Sequence, residues 1–231
     1  MTVDQMHISF KQGLDKFDSK NYPNIEPEEV DLLLNQAQGA FIKQRYGYNN
    51  SKKESFEETQ KRIEDLKALV KTQVLLPLPN NIYNINQYAV FVELPSDHWI
   101  TIQELTNVTY SCNGSGSTVT EDVYTLLIQH NDYSKLISNP FAKPTNTKVL
   151  RLSTENGSEL LHSQYSVINN YRLRYIKKPN EINSLSTPQV DCELSEITHQ
   201  EIVNTAISIA LENLEAKRLP TFIQVTENKQ E

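Results

Sequence analysis

The spacing of apolar residues changes twice along this 231-residue chain, and that change constrains the fold more than any other feature. Near both ends, apolar residues recur every three or four positions, the period of one face of an α-helix. From about Thr72 to Leu194, short apolar runs and alternating residues are separated by prolines and polar turns, as in β-strands. The pattern therefore predicts helices, then strands, then helix.

Three helices are predicted before residue 72 and a fourth after residue 194. The first has Thr2 as N-cap and Gln5 three residues on, a capping box. The second begins at Pro27 and stops at Gly47, and the fourth is capped by Thr198. The four apolar stripes are Val3, Met6, Phe10, Leu14 and Phe17; Val30, Leu33, Leu34, Ala37 and Phe41; Phe56, Thr59, Ile63, Leu66 and Val70; and Ile202, Ala206, Ile209, Ala210 and Leu214.

Each stripe needs an apolar partner, and the simplest arrangement lets the helices supply it to one another. We therefore predict an α+β fold in which residues 1–71 and 195–218 form a four-helix bundle. An antiparallel β-sandwich or barrel is inserted over residues 72–194, with one short helix near Asp132–Ser138. Residues 219–231 are predicted to form an extended tail.

A charged strand near the end of the β region is the first candidate interaction site. Alternation in residues 171–175 places three apolar residues on one face and Arg172 and Arg174 on the other. Lys177 and Lys178 follow. These four cations are compatible with a nucleic-acid contact. We favour a solvated edge strand, where charge blocks uncontrolled sheet pairing, or a complement to the acidic C-terminal segment of an adjacent subunit.

Apolar residues outside the helices give a second set of candidates. Trp99, the single tryptophan, is equally consistent with an interface anchor and with a core position. In the tail, Phe222, Ile223 and Val225 follow Pro220, which cannot continue the last helix. An exposed apolar segment of this kind is predicted to bury itself against a partner.

Motifs for catalysis are weak, and we predict no catalytic, cofactor-binding or metal-binding residues. The five histidines fall in none of the common metal-ligand spacings, and the glycine-rich tip at 114–117 lacks the lysine of a phosphate-binding loop. His130 and Asp132 are the pair of residues most suited to general acid–base chemistry. Asp132 is also placed to cap the short helix, which favours a structural role.

The charge balance limits which partners are expected. The formal charge is −7 at pH 7, and residues 191–231 contain three basic and eight acidic side chains. A protein that binds duplex DNA tightly needs the opposite balance, and the second helix opens with acidic residues, which argues against a DNA-binding regulator. No apolar run is long enough to span a membrane, and the acidic start is unlike a secretory signal, so we expect the chain to begin in a cytoplasm.

An ordered set of residue runs resembles structural proteins of crAss-like phages. The runs are Met6-His-Ile-Ser-Phe10-Lys, Ile25-Glu-Pro-Glu-Glu-Val30-Asp, Phe41-Ile-Lys-Gln-Arg45-Tyr46, Ser55-Phe-Glu-Glu-Thr59, Gln129-His130-Asn-Asp132, Asn139-Pro-Phe-Ala-Lys-Pro144, Arg174-Tyr-Ile-Lys-Lys-Pro179, Val190-Asp-Cys-Glu-Leu194 and Thr198-His199-Gln-Glu201-Ile-Val. Two departures are Gly39, which interrupts the second helix, and Asn131, where a second acid is expected.

This resemblance implies a virion protein and not an enzyme. It implies a homo-oligomer, a dodecameric ring in the head–tail connector of a short-tailed phage. Its partners would be the portal protein, other tail ring proteins, and genomic DNA that passes through the channel without sequence-specific binding. The alternatives are a receptor-binding or decorating tail protein, which would form trimers more often, and a tail-associated hydrolase.

Overall fold

A computed structural model of the chain describes residues 1–15, 25–47, 60–78, 88–111, 117–155 and 157–213. The chain divides into two compact units. The helical unit comprises Met1–Leu69 and Pro179–Glu231, and the β unit comprises Val70–Lys178. Residues 179–194, which the sequence analysis assigned to the inserted β domain, belong to the helical unit.

Local capping signals fix the starts of the long helices. The described helices of this unit are α1 (Val3–Asp15), α2 (Pro27–Tyr46), α3 (Gln60–Leu66) and α5 (Glu196–Asn213), with a 3-10 turn at Lys67–Leu69. Thr2 and Gln5 form the predicted capping box, with reciprocal bonds of 3.1 and 3.4 Å. The predicted boundaries of α2 at Pro27 and Gly47 are also confirmed. The Thr198 cap is wrong, because α5 begins two residues earlier.

The apolar stripes of α1, α2 and α5 meet in the core of the helical unit. Val3, Met6 and Phe10 of α1 are fully buried, as are residues on α2 and α5. The helices α1 and α5 approach closely at Gly13, where a Cβ atom would lie 2.3 Å from Cδ1 of Ile207. The core of this unit is therefore shared by three long helices and the 179–194 segment, which contributes Ile182.

The predicted four-helix bundle is wrong. In the described residues the third segment contributes only two helical turns before the chain enters a 3-10 turn and a strand. Its buried positions include Arg62 and Asp65. Arg45 of α2 pairs with Asp65 at 3.1 Å and with Glu201 of α5. Of the predicted apolar edge, Leu66 is fully buried, whereas Ile63 is half-buried and Val70 already begins a strand. Phe56 and Thr59 lie outside the described residues.

The described residues of the β unit form a seven-stranded mixed sheet. Its strands are β1 (Val70–Leu75), β2 (Ala89–Glu93), β3 (His98–Ser111), β4 (Thr118–Leu127), β5 (Lys148–Ser153), β6 (Gly157–Leu161) and β7 (Ser166–Lys177), in the order β1-β7-β3-β4-β5-β6-β2. All neighbours are antiparallel except β4 and β5. The helix α4 (Tyr133–Ser138), the predicted short helix, lies in the crossover that makes this pair parallel.

The predicted antiparallel sandwich is therefore wrong as well. A sandwich buries apolar residues between two sheets, whereas here one curled sheet, a half-barrel, surrounds its own core. Every strand contributes to one buried cluster: Leu75, Val92, Val108, Val123, Val149, Leu160, Ile168, Tyr171, Leu173 and Tyr175. Because both edge strands reach this cluster, the sheet must curl around it.

The opposite, outer face of the sheet is covered over only part of its width. On β5 and β6, Leu150, Leu152 and Leu161 point outward and pack beneath Tyr133, Leu136 and Ile137 from the α4 segment. Over much of β1, β7, β3 and β4, around Arg172 and Arg174, the outer face instead carries polar or at least partly exposed residues. The outer face of β1, β7, β3 and β4 is called the open face.

Candidate interaction surface

The open face is organised as rows of side chains that run across the four strands. Val74 of β1 is aligned with Arg172 of β7, Arg172 with Leu105 of β3, and Leu105 with Tyr124 of β4. Val74 is 54% exposed and Tyr124 is 77% exposed. Neighbouring strands lie about 4.8 Å apart, so this row spans about 14 Å. It places a cation between apolar side chains.

A second set of polar residues forms a continuous chain of hydrogen bonds across the open face. Asp122 accepts a hydrogen bond from Nδ2 of Asn107 at 2.8 Å and from Nη1 of Arg172 at 3.0 Å. Asn169 donates to Oδ1 of Asn107 at 2.9 Å and to Oγ1 of Thr109 at 2.7 Å. The bond from Asn107, followed by the Arg172 guanidinium, lowers the pKa of Asp122. These bonds hold the face in a defined shape and keep Asp122 ionised.

The predicted alternation on β7 is confirmed, but its position in the sheet is not. Arg172 and Arg174 point to the open face, while Tyr171, Leu173 and Tyr175 are buried. The interpretation as an edge strand is wrong, because β7 pairs with β1 on one side and β3 on the other. The arginines therefore cannot serve to block sheet pairing.

The four predicted cations do not form one patch. Arg174 is exposed; its Nε donates to Thr72 Oγ1 at 3.4 Å, and it makes no ion pair within the described part of the chain. Lys177 is half-buried and, by alternation, lies on the opposite face of β7. The backbone N–H of Lys178 donates to the Asp97 carbonyl at 2.7 Å as the strand ends. Only the two arginines share the open face.

The other predicted candidates are Trp99 and the three tail residues. Trp99 is half-buried on β3 at a register shift between His98 and Ile100. It is neither fully buried in the core nor an exposed anchor. Phe222, Ile223 and Val225 lie outside the described residues, so their role stays a prediction.

Sequence reasoning missed the apolar residues of the open face. Tyr124 and Leu126 on β4, which are 77% and 52% exposed, were not singled out, nor was Val167 on β7, which is 63% exposed. Strict alternation through residues 118–127 is the signal that identifies Tyr124 and Leu126, because it places them on the same face as Asp122.

The candidate catalytic pair does not form a dyad. His130 donates from Nε2 to the Ser153 carbonyl at 2.7 Å, whereas Asp132 contacts Lys135 at 3.5 Å. Asp132 makes no side-chain cap to α4. The predicted cap is wrong because a 3-10 turn at His130–Asp132 leaves the backbone of Asp132 helical, and a capping side chain needs an extended residue.

The described residues contain no arrangement that points to a metal site, and they contain one buried ion pair in the sheet. No group of three or more His, Cys, Asp or Glu side chains is arranged to hold a metal ion. Glu104 and Arg151 form a buried ion pair of 2.9 Å on the concave side of the sheet. Among the described helices, none combines the length and apolar character needed to cross a membrane.

The chain is similar to known proteins over nearly its whole length. A family model described as phage tail ring protein 3/4 matches residues 1–218. Ring protein 3 of Bacteroides phage crAss001 is 27% identical over 223 residues, which cover 91% of this chain and 95% of that protein. Ring protein 4/5 of the same phage is 24% identical over 230 residues, covering 91% and 92%. The similarity therefore includes both units.

Proposed function

This chain belongs to the phage tail ring protein 3/4 family, and we propose that it is a structural subunit of a ring in the virion of a crAss-like phage. The family match over residues 1–218 carries the proposal, because it spans the helical unit on both sides of the inserted β unit. Two relatives that carry ring-protein names match over more than nine-tenths of their length. Their names describe an assembly role and not a reaction, so we infer a non-catalytic function.

The finer proposal is a dodecameric ring that joins the portal to the tail and surrounds the DNA. Ring closure requires two different surfaces on each copy, because every subunit contacts one neighbour on each side. The open face supplies one surface with exposed apolar and cationic side chains. The formal charge of −7 favours a channel through which DNA slides without tight binding.

Cryo-electron microscopy of purified virions tests this function. We expect a ring of twelve copies at the portal vertex, coaxial with the DNA, in density that fits the mixed sheet and the α1, α2 and α5 helices. The host cytoplasm during infection should contain the unassembled chain. Trimers at the periphery of the tail would refute the ring and favour a receptor-binding or decorating protein instead.

A further inference from the structure

The two units differ strongly in charge. The β unit contains nine basic and eight acidic residues, whereas the helical unit contains 13 and 21. Contact between the helical units of two copies would bring acidic surface against acidic surface, which costs free energy. A contact between the helical unit of one copy and the β unit of the next avoids that cost.

A hydrogen-bond cluster joins α1, α2 and the 179–194 segment within the helical unit. Nε2 of His7 on α1 lies 2.7 Å from Oδ1 of Asp31 on α2, and Oδ2 of Asp31 accepts bonds from the N–H and hydroxyl of Ser184 at 2.9 and 2.8 Å. The next residue after each of these three is a large exposed apolar side chain. These are Ile8 at 56%, Leu32 at 59% and Leu185 at 57% exposure.

Acidic side chains share the helix faces that carry two of these residues. Asp4 lies four residues before Ile8 on α1, and Glu28 lies four residues before Leu32 on α2. Residues four apart lie on the same helix face. Glu28 is exposed and makes no ion pair with any described residue, and Asp4 contacts only the neutral Gln189, at 3.3 Å. Lys11 follows one turn beyond Ile8, so the acidic character is concentrated at the N-terminal turns. Ile8, Leu32 and Leu185 with Asp4 and Glu28 are called the acidic patch.

The open face matches the acidic patch in chemistry. Its central row places Arg172 between Val74 and Leu105, with Tyr124 on the next strand. Arg174 lies two residues after Arg172 on the same face of β7. The apolar and cationic side chains of the open face are thus complementary to the apolar and carboxylate side chains of the acidic patch.

We propose that copies of this chain join head to tail, with the open face of one copy docked on the acidic patch of the next. The inference rests on the proposed ring function, and the occupant of the open face is a second copy of the chain. Arg174 and Glu28 are the interfacial charges, because neither makes an ion pair with described residues of its own chain. The apolar side chains provide the burial, and the charges set which surfaces pair.

Crosslinking in assembled virions tests the contact directly. Phage is grown with a chain in which Cys112 and Cys192 are replaced by Ser, and Leu32→Cys and Tyr124→Cys are added. Treatment with a flexible bismaleimide should give a ladder of covalent oligomers larger than dimers. Chains with either added cysteine alone should give none, because each junction then presents one thiol.

The outcomes separate this inference from the ring itself. A covalent dimer from Tyr124→Cys alone would mean that two open faces meet, and would overturn the head-to-tail contact. Rings seen by microscopy without a ladder from the double-cysteine chain would also overturn it while leaving the ring function intact. Absence of rings would refute both.

Charge reversal provides a second measurement. Arg174→Glu or Glu28→Arg should each lower incorporation into virions by about tenfold, because an attractive exposed pair becomes repulsive. The two changes in one chain should restore incorporation. Matched controls are Lys135→Glu on α4 and Glu212→Arg on α5, both exposed and outside the two surfaces, which should incorporate normally. If Arg174→Glu behaves like Lys135→Glu, the contact is excluded.

Discussion

Replacing Arg151 with Met is expected to destabilise the β unit strongly. The guanidinium Nε of Arg151 lies 2.9 Å from Oε2 of Glu104, and the two side chains are only 8% and 10% exposed. Nη1 of Arg151 is also 3.4 Å from the hydroxyl of Ser158. Removing the cation leaves a buried carboxylate without its partner, which costs about 3–5 kcal/mol. Replacing both residues, as Glu104→Leu with Arg151→Met, should return the free energy of unfolding to within about 1 kcal/mol of the natural chain, since no charge remains buried.

The pH dependence of this cost has a definite sign. Burial raises the pKa of Glu104, and Arg151 opposes that rise. In Arg151→Met the opposition is lost, so the folded state binds a proton on Glu104 more tightly than the unfolded state does. Stability then falls as pH rises from the unfolded pKa of the carboxyl through its higher folded value. The variant should therefore lose less stability at pH 5 than at pH 7.5.

Urea unfolding followed by tryptophan fluorescence measures this effect. Trp99 is the single tryptophan and lies on β3, so its signal reports the β unit. Arg174→Met is the matched control, because it removes an exposed arginine from β7 and should cost less than about 0.5 kcal/mol. A loss below about 1 kcal/mol for Arg151→Met at pH 7.5, or a double variant as unstable as the single one, would refute the reasoning.

Three further predictions concern the backbone, the crossover and the tail. Gly157→Ala should lower the free energy of unfolding in urea by about 1–3 kcal/mol, because the added Cβ would lie 2.3 Å from a carbonyl oxygen of β2. Gly39→Ala is the control: the space around Gly39 is open, so this change should stabilise α2 by up to about 1 kcal/mol. His130→Ala should lower the free energy of unfolding by about 1 kcal/mol, because it removes the hydrogen bond to the end of β5. Asp132 makes no side-chain cap, so Asp132→Ala should change this free energy by less than about 0.5 kcal/mol. Deleting residues 219–231 should leave the circular dichroism spectrum unchanged apart from the shorter length, yet yield virions that lack tails or leak DNA; normal virions would show that the tail is dispensable.

The sequence predicted the long helices well because their signals are local. The capping box at Thr2 and Gln5, the start at Pro27 and the stop at Gly47 each involve residues within one turn. The third helix was predicted less well because Arg62 and Asp65 are among its buried residues, and Asp65 has its charged partner, Arg45, on α2. Apolar spacing carries no information about such a partner.

The sheet was predicted poorly because its arrangement depends on contacts that are distant in sequence. The longest strand, β3, has register shifts near Trp99, Ile102 and Asn107, so its apolar residues do not alternate regularly. The parallel pairing of β4 with β5 depends on the path of the crossover. Alternation correctly placed Arg172 and Arg174 on one face, but the neighbours of β7 cannot be read from the strand itself.

The proposed contact has a consequence for how rings would respond to mutation. A head-to-tail chain of copies leaves one open face and one acidic patch unpaired at its ends, and closure pairs both, so a closed ring gains one junction over an open chain of equal length. The strength of each junction determines what fraction of the chains assembles into rings. The number of subunits in each ring depends instead on the rotation between neighbours. Reversing Arg174 or Glu28 changes the strength of the charge pair without changing the backbone that sets the rotation. Such variants should therefore form fewer rings, each with the same number of subunits as in the natural virion.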